Sequence, residues 1–128
     1  MLSLGGTRRV YLAVGATDLR KGYDGLYGLV RSRLEEDPLS GQLFVFCNAD
    51  RTRVKALYFD GSGLLLCAKR LGRGRFDWPE EMAGVAKVAI SATEFAALID
   101  GLELTRTRAK LWWRKKLYDL IAKSNAYR

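Results

Sequence analysis

Residues 42–79, QLFVFCNADRTRVKALYFDGSGLLLCAKRLGRGRFDWP, constrain the fold of this chain more than any other stretch. Three runs rich in β-branched, aromatic and aliphatic residues, 43–46, 54–59 and 64–71, are separated by Asn48-Ala49-Asp50-Arg51-Thr52 and by Asp60-Gly61-Ser62-Gly63. Both separators hold the residues that turns demand, so the runs predict two hairpins in series and a three-stranded antiparallel meander. The third run passes into Lys69, Arg70, Arg73 and Arg75, with Gly72 and Gly74 interleaved and Phe76, Trp78 and Pro79 behind. Arginines spaced by glycines at a strand end describe a cationic lip, and guanidinium groups suit bidentate contact with phosphate. The opposing reading is a solvated edge strand, where lysine and arginine blunt strand-to-strand aggregation. Phe76 and Trp78 either stack on bases or arginine planes or fill the core.

Before the meander, residues 8–14 alternate Val10, Leu12 and Val14 against Arg9, Tyr11 and Ala13, the pattern of a strand. Asp18 offers an N-cap, and Tyr23, Leu26, Tyr27, Val30 and Leu34 follow at helical spacing, predicting one long helix over about residues 19–36 that covers a face of the meander. Gly22, Gly25 and Gly28 lie inside it, each costing roughly 1 kcal/mol against alanine. Close packing on the sheet is one reason for them and a phosphate near the helix start is the other. After the meander, residues 84–90 read as a further strand. Ser91 followed by Glu94 is a capping-box signature that opens a short helix carrying Phe95, Leu98, Ile99 and Leu102.

The 128 residues, 48% hydrophobic and 28% charged, suit one globular domain. The expected fold class is α+β: a mostly antiparallel sheet of residues 8–14, 42–47, 53–60, 63–71 and 84–90. The long helix is expected on one face, because the short connections leave no room for crossovers. No run of fifteen apolar residues occurs and the opening MLSLGGTRRV lacks the apolar stretch of a signal peptide, so a cytoplasmic protein without a membrane span is expected. The net charge of +8 is unevenly held: residues 1–101 carry 14 basic and 12 acidic side chains, residues 102–128 carry 8 and 2. That asymmetry points to a polyanion, and nucleic acid is the commonest one in the cytoplasm. The segment from 105 onward combines Arg106, Arg108, Lys110, Arg114, Lys115 and Lys116 with Trp112 and Trp113. It reads as a basic extension that binds nucleic acid, with a membrane-surface helix as the rival reading.

Catalysis finds little support. A phosphoryl-transfer site needs converging carboxylates for Mg²⁺. Of those available, Asp18 reads as a cap, Asp50 and Asp60 as turn formers and Asp24 as a helix residue, while Asp77 follows the lip. The chain has no histidine for acid–base work near neutral pH. Cys47 and Cys67 fall on different predicted strands and read as small buried apolar side chains rather than a metal or disulfide pair. Neither a cofactor, a metal nor enzymatic activity is expected.

Five motifs in order carry a family resemblance. They are Asp18-Leu19-Arg20-Lys21-Gly22-Tyr23-Asp24-Gly25-Leu26, Glu36-Asp37-Pro38-Leu39-Ser40-Gly41, Leu43-Phe44-Val45-Phe46, Asp60-Gly61-Ser62-Gly63-Leu64, and the stretch from Lys69 to Pro79. Over residues 3–104 the chain resembles the TnpB accessory proteins encoded by the second open reading frame of insertion sequences of the IS-sixty-six type. It departs from them at Cys47 and Tyr58-Phe59, where relatives often carry a basic residue and a tryptophan pair, and in its tail, since many relatives end near 101–104. The resemblance implies an accessory factor for transposition that works beside a separate transposase carrying the acidic catalytic residues.

The expected organisation is therefore a domain over 1–104 and a basic extension over 105–128. The expected function is non-catalytic DNA binding at transposon ends. Its candidate phosphate contacts are Arg20, Lys21, Lys69, Arg70, Arg73, Arg75 and the six basic side chains of the extension, and its candidate partner anchors are Trp78, Trp112 and Trp113. The alternative is an adaptor that docks on the transposase through those tryptophans without touching DNA.

Overall fold

The computed structural model describes residues 9–100. These form strand β1 (Val10–Ala13), helix α1 (Tyr23–Ser32), strands β2 (Leu43–Cys47), β3 (Arg53–Phe59), β4 (Leu64–Arg70) and β5 (Lys87–Ile90), and helix α2 (Ala92–Ile99). The strands lie in one sheet in the order β4-β3-β2-β1-β5. β2, β3 and β4 are the expected antiparallel meander. β1 also pairs antiparallel with β5 but runs parallel to β2, Val10 opposite Leu43 and Leu12 opposite Val45, so the sheet is mixed.

The parallel pair corrects the expectation that no crossover fits. Parallel neighbours need a connection of about a dozen residues or more, usually holding a helix, and the long segment between β1 and β2 holds α1. Period-two alternation then gives the sheet two buried faces. Ala13, Phe44, Phe46 and Leu57 meet Leu26, Val30 and Leu34 of the α1 segment. On the opposite face Val10, Leu12, Leu43, Val45, Val54 and Ala56 meet Phe76, Trp78 and Leu98. Each fully buried Leu, Val or Phe side chain contributes about 1.5–3 kcal/mol relative to exposure, so both layers matter to stability. Helix is thus not confined to one face: α2 packs on the face opposite α1. Its N-terminus is the expected capping box, with Ser91 Oγ accepting from the Glu94 N–H at 3.1 Å and Glu94 Oε1 accepting from the Ser91 N–H at 3.0 Å.

α1 is shorter than expected at both ends. Asp18 does not cap it, because its carboxylate is taken by the Arg20 N–H and guanidinium, and the N-cap is Gly22, which makes no side-chain bond. The C-terminal end closes when the Leu34 N–H reaches back to the Leu29 carbonyl and the Glu36 N–H to that of Val30, with Glu35 in the left-handed region at φ 53°. Packing explains one of the three helix glycines. A Cβ on Gly25 would stand 2.9 Å from the Cβ of Lys21, where the chain folds against the first turn, whereas Gly22 and Gly28 face open space. β5 begins at Lys87 rather than at 84, since Gly84 at φ 79° sits in a turn bridged by Met82 and Val85. The cysteines also separate: Cys47 is buried on β2 and Cys67 is exposed on β4, with β3 between them.

Candidate nucleic-acid interface

The loop after β1, the β2–β3 connection, the start of β3 and the end of β4 converge at one end of the sheet. The Thr17 N–H donates to the Cys47 carbonyl at 2.8 Å and fastens the first loop beside the end of β2. Asp18 closes the next turn by accepting from the Arg20 N–H at 3.0 Å and from Nη2 of Arg20 at 2.8 Å, and these bonds hold its carboxyl well below the usual carboxylate range. In the β2–β3 connection, Asn48 Oδ1 accepts from the Thr52 N–H at 2.9 Å and the Arg53 N–H at 3.0 Å. Local turn chemistry therefore fixes three sides of a cleft of roughly 640 Å³ lined by Asp18, Arg20, Asn48, Arg53, Lys55 and Arg70, among others.

The floor of this cleft juxtaposes two arginines. Arg53 is the cross-strand partner of Arg70. The neighbouring pair is hydrogen-bonded, the Leu71 N–H donating to the Thr52 carbonyl at 2.8 Å, so Arg53 and Arg70 occupy a non-hydrogen-bonded position. Such pairs have Cα atoms only about 4.5 Å apart and bring side chains closest. Both arginines project from the α1 side of the sheet, the side shared by Leu57 and Leu66. Among the described residues neither has an ion-pair partner. Like charges directly opposite destabilise a strand pair, and an anion between them would offset that cost. Beside them Lys55 donates through Nζ to the Lys21 carbonyl at 3.1 Å, bringing the start of α1, with its uncapped Gly22, to the cleft margin.

The residues expected to form the lip are divided by the fold. Arg20 and Arg70 line the cleft, and Lys21 is placed beside it only through its carbonyl, which accepts from Lys55. Lys69 points to the opposite face, where Nζ donates to the Ile99 carbonyl at 2.7 Å. Arg73 and Arg75 are exposed on a loop rather than on the strand. That loop is pinched at its neck by the Leu71 bond to Thr52 and by a 2.7 Å bond from the Phe76 N–H to the Arg51 carbonyl, with Gly74 at φ 74° in its bend. Phe76 and Trp78 are each 1% exposed, and Nε1–H of Trp78 donates to the Ala13 carbonyl at 2.8 Å. Trp78 is therefore a core residue and presents no ring to a partner or a base. The extension residues Arg106, Arg108, Lys110, Trp112, Trp113, Arg114, Lys115 and Lys116 lie outside the described residues.

Arg53 and Lys55 look like ordinary strand residues in the sequence, although a signal for them exists. The Asp60–Gly63 turn fixes the hairpin register, and counting back from it places Arg53 opposite Arg70 and Lys55 opposite Ala68. Arg51 gives no sequence signal of its own; it pairs with Glu80 at 3.3 Å. The carboxylates show no convergence. Asp60 Oδ1 accepts from the Ser62 N–H, the Ser62 hydroxyl and the Gly63 N–H, which lowers its pKa, and no cluster of three Cys, Asp or Glu among the described residues is placed to hold a metal ion. Burial pushes the Cys47 thiol up to about 12, far from thiolate chemistry at neutral pH. No helix among the described residues is long and apolar enough to cross a membrane.

The chain is similar to known proteins along most of this length. A family model described as IS66 Orf2 like protein matches residues 8–109. Two curated relatives come from Sinorhizobium fredii (strain NBRC 101917 / NGR234). The uncharacterized protein y4hO is 40% identical over 103 residues, covering 80% of this chain and 88% of its own length. The uncharacterized protein y4jC is 38% identical over 102 residues, covering 80% and 86%. No solved structure matches the chain.

Proposed function

The chain belongs to the IS66 Orf2-like family, and from that premise we infer a non-catalytic accessory factor of transposition that grips DNA phosphates in the cleft between Arg53 and Arg70. The family supports the association with an insertion sequence. The observation that carries the DNA contact is the Arg53–Arg70 pair, two arginines at the closest cross-strand spacing with, among the described residues, no ion-pair partner. A phosphodiester accepts from both at once, and the rigid strands on which they stand spend little conformational entropy on binding. Arg20, Lys21 and Lys55 would then supply the surrounding field, while Arg73 and Arg75 on their pinched loop and the basic extension reach further along the backbone. These contacts position a duplex without reading its sequence. The partners in this reading are transposon-end DNA and, through it, the element's transposase.

The test is binding of a labelled duplex to the full chain, followed by fluorescence anisotropy over a series of salt concentrations. For each phosphate no longer neutralised, the plot of log K against log salt flattens by about 0.9 units. Because one phosphodiester is held by both side chains, Arg53→Gln with Arg70→Gln should therefore flatten it by about 0.9 units, with the far-ultraviolet circular dichroism unchanged. Equal slopes for wild type and the double variant would remove DNA from the cleft and turn the reading toward an adaptor that docks on the transposase.

A further inference from the structure

The two edges of the sheet are protected to very different degrees. β5 is only four residues long and its Lys87 is tied to Glu36 at 2.8 Å. β4 is seven residues long and begins Leu64-Leu65-Leu66-Cys67-Ala68, and within the described sheet it pairs with β3 alone. Leu65 is 38% exposed and Cys67 is exposed. Natural edges are normally shortened, bulged or charged to prevent pairing with another chain, and the register of β4 on β3 runs unbroken from Leu64 to Arg70, with charge only at its last two residues. We propose that β4 is an interface, and that its partner is the β4 strand of a second copy of this chain, paired antiparallel about a two-fold axis at Cys67.

The register follows from the backbone. Leu71 donates to Thr52, and Gly63 accepts from the Asp60 N–H, so odd-numbered positions turn their polar groups toward β3. Leu64, Leu66, Ala68 and Arg70 consequently turn theirs outward, where each outward residue exchanges two N–H···O bonds with an outward residue of a partner. Centring the two-fold on Cys67 matches Leu64 with Arg70 and Leu66 with Ala68, in both directions, and uses the whole strand. Centring it on Leu66 or Ala68 runs one end past the strand, and centring it between residues sets outward positions against inward ones. The Cys67 register also separates charge: Lys69 and Arg70 of one copy lie across from the apolar Leu65 and Leu64 of the other, about 14 Å and about 20 Å along the strand from their own counterparts. The axis stands perpendicular to the sheet, so α1 and the cleft of both copies lie on the same side. If the cleft holds phosphate, the dimer presents two such sites to one face of a duplex.

Cys67 provides a readout. Opposite its counterpart it occupies a non-hydrogen-bonded pair, about 4.5 Å between Cα atoms, within the range that a disulfide spans. Diamide should close it quickly, the two thiols giving up two protons and two electrons to the reagent as the S–S bond forms, while buried Cys47 stays reduced. The experiment uses the full chain without DNA, so its outcome is independent of the cleft reading. Sedimentation equilibrium should show a dimer for wild type and for Cys67→Ser. Diamide should give a covalent dimer with wild type and none with Cys67→Ser. Ala68→Pro removes an outward N–H, which a free edge strand tolerates. It should weaken dimerisation at least tenfold while the thermal melt of the monomer persists; should that variant fail to fold, the Cys67 cross-link decides. A monomeric full chain, a dimer whose Cys67 does not cross-link, or a folded Ala68→Pro variant that dimerises like wild type would each overturn the proposal.

Discussion

The two ends of the β3–β4 hairpin handle charge in opposite ways. At the turn, Asp60 spends its carboxylate on the N–H groups of Ser62 and Gly63 and on the Ser62 hydroxyl, while the Asp60 N–H closes on the Gly63 carbonyl at 3.2 Å. Every charge there serves folding. At the far end, Arg53 and Arg70 stand opposite one another with no ion-pair partner among the described residues, although Asp18 is near enough to line the same cleft and is instead bound to Arg20 at 2.8 Å. A hairpin needs the first arrangement to form and gains nothing from the second. Charge that resists folding at a fixed, open position is a mark of binding, whereas charge that serves a turn is not.

The contrast breaks first if the cationic end proves to be a structural corner. Trp78 decides this, because it lies in the same sequence stretch as Arg70 and fastens that stretch to β1 through Ala13. Trp78→Ala should cost about 3–5 kcal/mol by emptying a core site, and more by orphaning the Ala13 carbonyl. Chemical denaturation will read it. DNA binding should then fall only in proportion to the unfolded fraction, in contrast to Arg53→Gln with Arg70→Gln, whose salt slope should flatten by about 0.9 units in a fully folded protein. Within the cationic end a further contrast is expected. Arg73→Ala with Arg75→Ala alters an exposed loop whose two arginines meet separate phosphates, so the slope should flatten by about 1.8 units while the placement of the duplex shifts, read by hydroxyl-radical footprinting.

The turn end sharpens the contrast through pH. The Asp60 pKa is lowered chiefly by the N–H groups of Ser62 and Gly63. A depressed folded pKa means that the stabilisation is fully present above the unfolded value of about 3.9 and is lost as pH falls through the folded value. Asp60→Asn should therefore lower the midpoint of thermal unfolding at pH 7, and the gap to wild type should narrow only below about pH 4. A gap that stayed constant into acid would mean that the carboxylate charge plays no part in the turn.

Much of this was legible in the residues, for reasons that also explain what was not. All five strands fall within the runs read from alternation and β-branched content, and the Ser91–Glu94 capping box marks the start of α2 to the residue. These are local signals, in which a residue and its neighbours suffice. The parallel placement of β1 beside β2 is not local: the pattern Val10, Leu12, Val14 fixes which faces are buried and says nothing about direction. The start of α1 misled because Asp18 satisfies the composition of a cap while Arg20 captures its side chain. Of the candidate site, Arg20, Lys21 and Arg70 were recognisable as cations near turns, but Arg53 and Lys55 were not. Only the register imposed by the distant Asp60–Gly63 turn brings them to the cleft. Trp78 shows the converse, since aromatic identity beside arginines suggests a binding platform and only packing reveals a core anchor.

The smallest effect expected is also the one most specific to the contrast between the two ends. Neutralising an exposed charge that has a partner removes stability, as at Asp60, whereas neutralising one of two opposed arginines should add it. Cross-strand pairs contribute roughly 0.2–1 kcal/mol in either direction, so Arg53→Gln alone, or Arg70→Gln alone, should stabilise the free protein by an amount in that range. The two gains should not add, because either substitution relieves the same repulsion, and a double-mutant cycle should return the pairwise term directly. High salt should erase most of the difference, since these side chains are exposed and the interaction is screened over roughly 8–10 Å at moderate ionic strength. Inorganic phosphate at the same ionic strength should raise the thermal midpoint of wild type and leave the double variant unmoved. Additive losses from the single substitutions would mean that the arginines support the hairpin, and the two ends would then differ only in the sign of their charge.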